Sequence, residues 1–411
     1  MNTVEYQLVL GRKVAEGRRR HGMSQPELAA LLDRPVAWVS QLERGAAPID
    51  CPDTLRTVAD ALELPLTELT AGGPILVHAA SQPGSDSARA QAEGLRVVLA
   101  GVHSLGAMLG NTDAPSFGWL RARTDRACTL ARSGRYGELT ELLAGLLPGL
   151  EAAARTFPPA GQTEVHELLA VAYQSCSAAL ARLGETEGAW IAADRAMAAA
   201  ERAGNLLLVA AGAHRLASVF LSAGRHALAE ETARTTVAAL QGLADLGDPD
   251  AVALCGGLAL LRAVVAARGG RQAAAYGQLT RARQLAARLG AQRAGGAPEF
   301  GPEYVALYEI AVSVDLGDAG HALRVAAAAD TTGLSAARKA RMLVDVARAF
   351  RLREQGTEAV GALLRAESVS PAYVHDSDRA ARVVAELLDL CDPPPEELTR
   401  LAGRLGVPQA S

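Results

Sequence analysis

The sequence predicts an all-α protein: a small N-terminal helical domain followed by a long array of stacked helical hairpins. Three observations carry this. Hydrophobic residues make up 49% of the 411 and aromatics only 4%; the apolar share leans on Ala and Leu, which favours closely packed helices over sheets. Residues 18–45, RRRHGMSQPELAALLDRPVAWVSQLERG, read as two short helices joined by a tight turn. Beyond residue 115, glycine-containing joins recur at intervals of about 40 to 50 residues, the spacing of helix-pair arrays. A chain of this length exceeds one compact helical core, so two or more units are expected.

The N-terminal elements follow from local chemistry. Ser24 is a good N-cap, since its hydroxyl can accept from an orphan backbone N–H, and Glu27 three residues on completes a capping-box spacing. Pro26 falls in the first turn, where a missing N–H matters little. Leu28, Ala29, Leu31 and Leu32 supply a buried stripe. Asp33 and Arg34 make the turn, and Pro35 suits the start of the next helix. There Val39 and Leu42 point inward, while Val36, Ala37, Ser40, Gln41 and Arg44 fall on the outer face. Gly45 ends the helix as a C′ residue.

This pattern resembles the Cro/cI-type, or XRE, helix-turn-helix family from about Leu10 to Leu69, most clearly in SQPELA, VSQLERG and TLRTVADALELPLTEL. The resemblance implies five helices, roughly 5–20, 24–32, 36–44, 52–62 and 65–70. It implies that Gln25 braces its helix on a phosphate and that Val36, Ala37, Ser40 and Gln41 face base edges. It also implies an internal Arg18–Glu43 ion pair. Small apolar residues at 36 and 37, where the family more usually carries a long polar reader, suggest thymine-methyl contact. They leave Gln41 as the main hydrogen-bonding reader.

Residues 1–70 hold eight Lys plus Arg and ten Asp plus Glu, so DNA affinity must come from local charge. Arg12, Lys13, Arg18, Arg19, Arg20, Arg34 and Arg44 are the candidates. The whole-chain net charge of −4 gives no bulk attraction to nucleic acid or membrane. Only Lys13 and Lys339 are lysines, and neither follows a glycine, which excludes a GK[ST] phosphate loop. The five cysteines are widely spaced, form no CxxC or zinc pattern, and fit a reducing cytoplasm. The N-terminus lacks the apolar core of a signal peptide. The longest uncharged run near the middle, 97–112, is too short and polar to span a bilayer. HExxH, GxSxG and GxGxxG are all missing, and the eight histidines are scattered. The expectation is a non-enzyme without cofactor or metal.

The expected domains are the helix-turn-helix over 1–70, a Gly/Ser/Pro-rich linker over 71–88, and a helical-repeat sensor and dimerisation domain over 89–411. A helix is expected from about Arg89 to Leu109, then a break at NTDAPSFG. Six or seven helix pairs follow over about 115–407, with Gly134, Gly184, Gly224, Gly269, Gly317/Gly320 and Gly356 at their joins. The array resembles divergent tetratricopeptide repeats, best over residues 168–201, where Tyr173, Leu180, Gly184, Ala189 and Ala196 fit the consensus. The pairs around Gly269 and Gly356 fit with a one-residue slip. Pro393, Pro394 and Pro395 break the last pair, and LTRLAGRLG is the end cap.

Stacked pairs of this kind bury their faces on one another and leave a concave groove lined by the first helix of each pair. Gln174 and His214 occupy equivalent places in adjacent repeats, Glu309 the same place further along, and Ser218 lies one turn beyond His214. Tyr304 and Tyr308 share a helix with Glu309. Together these residues are candidates to grip a short extended peptide. Core packing is the plainer reading of Tyr173 and Tyr308, and a satisfied structural role that of His214. Arg338, Arg341, Asp345 and Arg348 lie at helical spacing and are expected to form a solvated, paired face.

The domain order resembles the RRNPP group of bacterial regulators, in which a short signalling peptide binds the repeats. That resemblance implies a cytoplasmic homodimer that binds double-stranded operator DNA and answers a peptide or other small ligand by a population shift. No membrane partner is expected. The rival readings are a repeat domain that acts as a protein-interaction scaffold, or one that serves dimerisation alone.

Overall fold

The computed structural model describes residues 3–32, 34–45, 52–62, 64, 69, 86–101, 115–289, 300–375, 377–391 and 393–407. Among these it contains twenty helices and no strand. Two compact units divide the chain. One comprises Met1–Gln82, Arg262–Gln284 and Gly301–Ser411, the other Pro83–Leu261 and Leu285–Phe300.

The first unit begins with α1 (Thr3–Arg20), α2 (Gln25–Leu31), α3 (Val36–Glu43) and α4 (Pro52–Ala61). The expected fifth helix lies outside the described residues apart from Leu69, which joins Leu10, Val14, Leu28, Val39, Leu42, Leu55 and Leu62 in one buried cluster. Helix α1 passes against the end of α3 at Gly11, where a Cβ would meet the Leu42 carbonyl oxygen at 2.4 Å. Only a residue without a side chain allows that approach.

The second unit opens with α5 (Asp86–Leu99), which begins before the expected Arg89 and stops ten residues short of the expected Leu109. Gly101 adopts φ 68, and the Leu99 carbonyl accepts from Arg195 Nη1 at 2.8 Å, so a side chain satisfies the end of the helix. Residues 71–85 of the expected linker lie outside the described residues. Then come α6 (Phe117–Ser133) and α7 (Tyr136–Thr156), α8 (Pro159–Arg182) and α9 (Thr186–Arg202), and α10 (Leu206–Ser222) and α11 (His226–Asp245). From α7 onward each packs on its predecessor, α5 packs on α7, and α8 also packs on α6 and α10, the solenoid-like stacking of successive hairpins. Helix α7 buries Leu139, Leu142, Leu143, Leu146, Leu147 and Leu150 as one stripe. The buried face of α9 is Ala189, Ala192, Ala193, Ala196, Ala199 and Ala200, together with Gly188. Tyr173 is buried, as the core reading expected, and its hydroxyl donates to Glu151.

Helices α12 (Pro249–Arg268) and α13 (Gln272–Leu289) contribute residues to both units. By length and composition α12 suffices to cross a membrane, but most of it is buried in protein as a core helix. The first unit continues with α14 (Pro302–Asp315), α15 (Ala319–Ala328), α16 (Ala336–Leu352), α17 (Gly356–Val369), the short α18 (Pro371–His375), α19 (Asp378–Leu390) and α20 (Glu396–Arg404). Seven hairpins are thus described between residues 117 and 404, the upper end of the expected count. No disulfide joins the four described cysteines; Cys51 lies outside the described residues.

One expectation is overturned in this unit. The charged run on α16 is not a solvated face. Asp345 is fully buried, and its Oδ1 accepts from Arg348 at 3.0 Å and from Arg379 of α19 at 2.7 Å. Arg348 also reaches Asp315 of α14 at 2.8 Å. Burial works to raise the Asp345 carboxyl, and the charges of Arg379, Arg348 and Arg341 outweigh it, holding it below its ordinary range. Helical spacing shows that residues share a face; it does not show that other helices cover that face.

Candidate nucleic-acid interface

Helix α3, the candidate reading helix, is set by chemistry at its flanks. The Glu27 N–H donates to Ser24 Oγ at 3.3 Å, and the Ser24 N–H donates to the Glu27 carboxylate at 2.7 Å, a complete capping box at the start of α2. The expected ion pair between α1 and α3 is present: Arg18 Nε lies 2.5 Å from Glu43 Oε1, and Nη2 lies 3.0 Å from Oε2. Arg18 Nη1 also donates to the Met23 carbonyl at 2.7 Å. Burial works to raise the Glu43 carboxyl; hydrogen bonds from Arg18 and Gln25 and the charge of Arg18 overcome it and hold the group below its usual range. Gly45 closes α3 at φ 71, where a Cβ would come within 2.9 Å of Leu8 Cα.

Val39 and Leu42 are fully buried, as expected from the pattern. On the outer face Val36 is 44% exposed, Ala37 and Arg44 are exposed, and Ser40 is half-buried. Gln25 is half-buried, and its amide nitrogen donates to Glu43 Oε2 at 2.8 Å, which ties the start of α2 to the end of α3. Gln41 is only 7% exposed and lies against Gly317 of the same unit, where a Cβ would stand 3.4 Å from Gln41 Oε1. Arg34 donates to the Ala267 and Arg268 carbonyls at 3.3 and 2.9 Å. Arg44 Nη1 pairs with Glu354 at 2.8 Å. Arg12, Arg19 and Arg20 are exposed along α1.

Sequence reasoning passed over Trp38, which is buried beneath the Arg34 guanidinium with its ring centroid 4.4 Å from Arg34 Cζ. Its signal was the four-residue spacing of an arginine and a tryptophan across the start of α3. Sequence reasoning placed Gly317 at a hairpin join but linked neither it nor Glu354 to α3, since no local pattern connects them.

The candidate ligand residues fall into two groups. In the second unit, Gln174 Nε2 donates to the Leu208 carbonyl at 3.2 Å and Ser218 Oγ donates to the His214 carbonyl at 2.9 Å. The His214 ring packs against Gly257, and burial pushes its pKa down to about 4. In the first unit, Tyr304 and Tyr308 stack at 6.3 Å with an interplanar angle of 20°. Arg338 and Arg341 cover them from α16, at 4.5 and 5.0 Å from the ring centroids. Glu309 turns the other way, to Arg283 of α13 and to His321 of α15 at 2.8 Å. The tyrosine pair and Glu309 therefore face different neighbours.

The profile of a family described as a helix-turn-helix domain matches residues 9–71. A comparison of the chain with curated proteins finds no match. The matched segment, its capping box and its braced second helix define a helix-turn-helix domain, which points to a DNA-binding regulator.

Proposed function

We propose that this protein is a dimeric, sequence-specific transcriptional regulator of the XRE type, whose tetratricopeptide-like repeats bind a short signalling peptide or other small ligand that modulates DNA binding. The observation that carries the DNA reading is α3 itself. Its inner face is locked by Val39, Leu42 and the Arg18–Glu43 brace, and its outer face exposes Val36 and Ala37 and part of Ser40, while Gln41 is covered and the flanking Arg34 and Arg44 bond elsewhere in the unit. Small apolar residues at 36 and 37 suit thymine methyls, Gln41 suits adenine, and the arginines and Gln25 suit phosphates. In a dimer, half-sites are expected roughly 34 Å apart, one helical turn, or a multiple of it.

A second reading has a specific observation behind it. Gln174, Ser218 and Glu309 each already hold a protein partner. That favours repeats serving as a scaffold or dimerisation module without a small ligand.

The test is selection of bound duplexes from a random pool by the full chain at low ionic strength. A shared motif is expected, and Gln41→Ala is expected to relax one base position at about 1–3 kcal/mol. Recovery of no motif overturns the regulator reading. Equal weakening on all sequences removes Gln41 as a reader.

A further inference from the structure

Three successive hairpin turns of the first unit each meet one residue of the reading segment. Each turn passes through a single residue in the left-handed region: Gly270 (φ 74) between α12 and α13, Gly317 (φ 81) between α14 and α15, and Glu354 (φ 61) between α16 and α17. Arg34 sits at the first, Gln41 at the second and Arg44 at the third. At the first turn the Arg34 guanidinium receives the last carbonyls of α12, Ala267 and Arg268. The Ala267 carbonyl also accepts the Gly270 N–H at 2.9 Å, and the Arg268 carbonyl the Thr54 hydroxyl at 3.5 Å; the guanidinium adds its charge to this partly negative helix end. Gly270 opens the seat, because a Cβ there would fall 1.8 Å from Arg34 Nε. At the second turn Gly317 lies beside Gln41: a Cβ there would be in ordinary van der Waals contact, 3.4 Å from Gln41 Oε1 and 3.8 Å from the Trp38 amide nitrogen.

Glu354 is the independent observation. It is the one non-glycine residue with positive φ among the described residues. Glycine holds the equivalent turn position in five other hairpins, as Gly134, Gly184, Gly224, Gly270 and Gly317. A side chain disfavours that backbone conformation, so glycine would be the relaxed choice here too. The chain instead places there the carboxylate that pairs with Arg44.

We propose that this turn edge is an internal docking site for the chain's own reading helix, and that docking withholds Arg34, Gln41 and Arg44 from DNA. The edge offers two carbonyl oxygens and a carboxylate to the same guanidinium donors that phosphates would engage, and it covers Gln41. Edge and duplex therefore compete, and DNA affinity is set by the undocked fraction. The inference rests on the reading of α3 as the DNA-contacting helix.

The scarcity of lysine provides the experiment. In a full chain carrying Arg44→Lys, a zero-length carbodiimide reaction is expected to join position 44 to Glu354 within one chain. Glu354→Gln added to that variant serves as the blank, and peptide mapping is simple because Lys13 and Lys339 are the only other lysines. Saturating random-sequence duplex at low ionic strength is expected to suppress the product. Glu354→Gly combined with Gly270→Ala is expected to tighten duplex binding on the order of tenfold; Glu354→Gly alone, which also relaxes the backbone, is expected to act in the same direction. Absence of the 44–354 product overturns the docking, and a product that joins two chains overturns docking on the chain's own edge. A product undiminished by duplex overturns the competition. A chain that forms the product yet binds no duplex in any variant overturns the DNA reading and, with it, the inhibitory role.

Discussion

Removing the Glu43 carboxylate should unfold the helix-turn-helix domain at a far lower temperature. The group is 7% exposed and Arg18 is 12% exposed. Glu43→Ala deletes two contacts to the guanidinium and one from Gln25. Breaking one partner of a buried pair costs about 3–5 kcal/mol. Arg18 keeps its bond to the Met23 carbonyl and some contact with water, which places the loss near the lower end, about 3 kcal/mol. For a domain of this size each kcal/mol moves the midpoint by about 4–8 °C, so the transition should fall by more than about 10 °C. Circular dichroism melts, with amide exchange followed on α1 and α3, measure it. The sign of the pH dependence gives a second check. The folded carboxyl titrates below its ordinary 4.5, so its contribution is complete above that value and disappears as pH falls through the depressed one. Acidification from neutrality should therefore destabilise the native chain more than Glu43→Ala. A midpoint within about 2 °C of the native chain, or identical acid sensitivity of the two, would refute the reasoning.

Two further outcomes follow from buried charge. Asp345→Asn leaves Arg348 and Arg379 facing a neutral amide in a fully buried position; a loss of about 3–5 kcal/mol is expected in urea unfolding, and a change under about 1 kcal/mol would mean the network contributes as surface pairs do. His214 stays neutral in the fold down to about pH 4, against an ordinary 6.5. The unfolded chain therefore takes up the proton first, and stability drains away as pH drops from 6.5 toward 4. About 2 kcal/mol is expected after allowance for its partial solvent contact, and His214→Gln should flatten that slope in urea midpoints taken across the range.

What could be read from the sequence was local. Ser24 with Glu27 announced the capping box, and Gly134, Gly184, Gly224 and Gly317 marked turns that do take positive φ. The left-handed residue lies one position after Gly269, at Gly270, in one hairpin and two positions before Gly356, at Glu354, in the other. Glutamate gives no turn signal, so the second was invisible. Gly204 and Gly247 also take positive φ, between hairpins rather than within them. The inner face of α3 was legible from its period, since Val39 and Leu42 turn inward. The covering of Gln41 by Gly317 was not, because it joins residues 276 apart in the chain, and no periodicity encodes such a meeting. Asp345 failed for the same reason: the helix that buries its partner Arg379 begins more than 30 residues later.

The methyl-lined face of α9 has a consequence for how this array tolerates change. A seam made of Ala189, Ala192, Ala193, Ala196, Ala199 and Ala200 freezes almost no rotamers on assembly and lets neighbouring backbones approach closely. It also lacks the large, shaped protrusions that normally key one helix to another. Sliding along such a seam meets little steric resistance, so the axial position of α9 is fixed by groups outside the seam, Arg195 on the Leu99 carbonyl, the Ser177 hydroxyl on the Ala189 carbonyl and Trp190 against Phe220, and by its ends. One is the Gly184 bend, the other the Gly204–Asn205 bend, where the Asn205 carboxamide caps the next helix and bonds Glu167. Enlarging any alanine of the seam should push whole helices apart rather than crowd a single pocket.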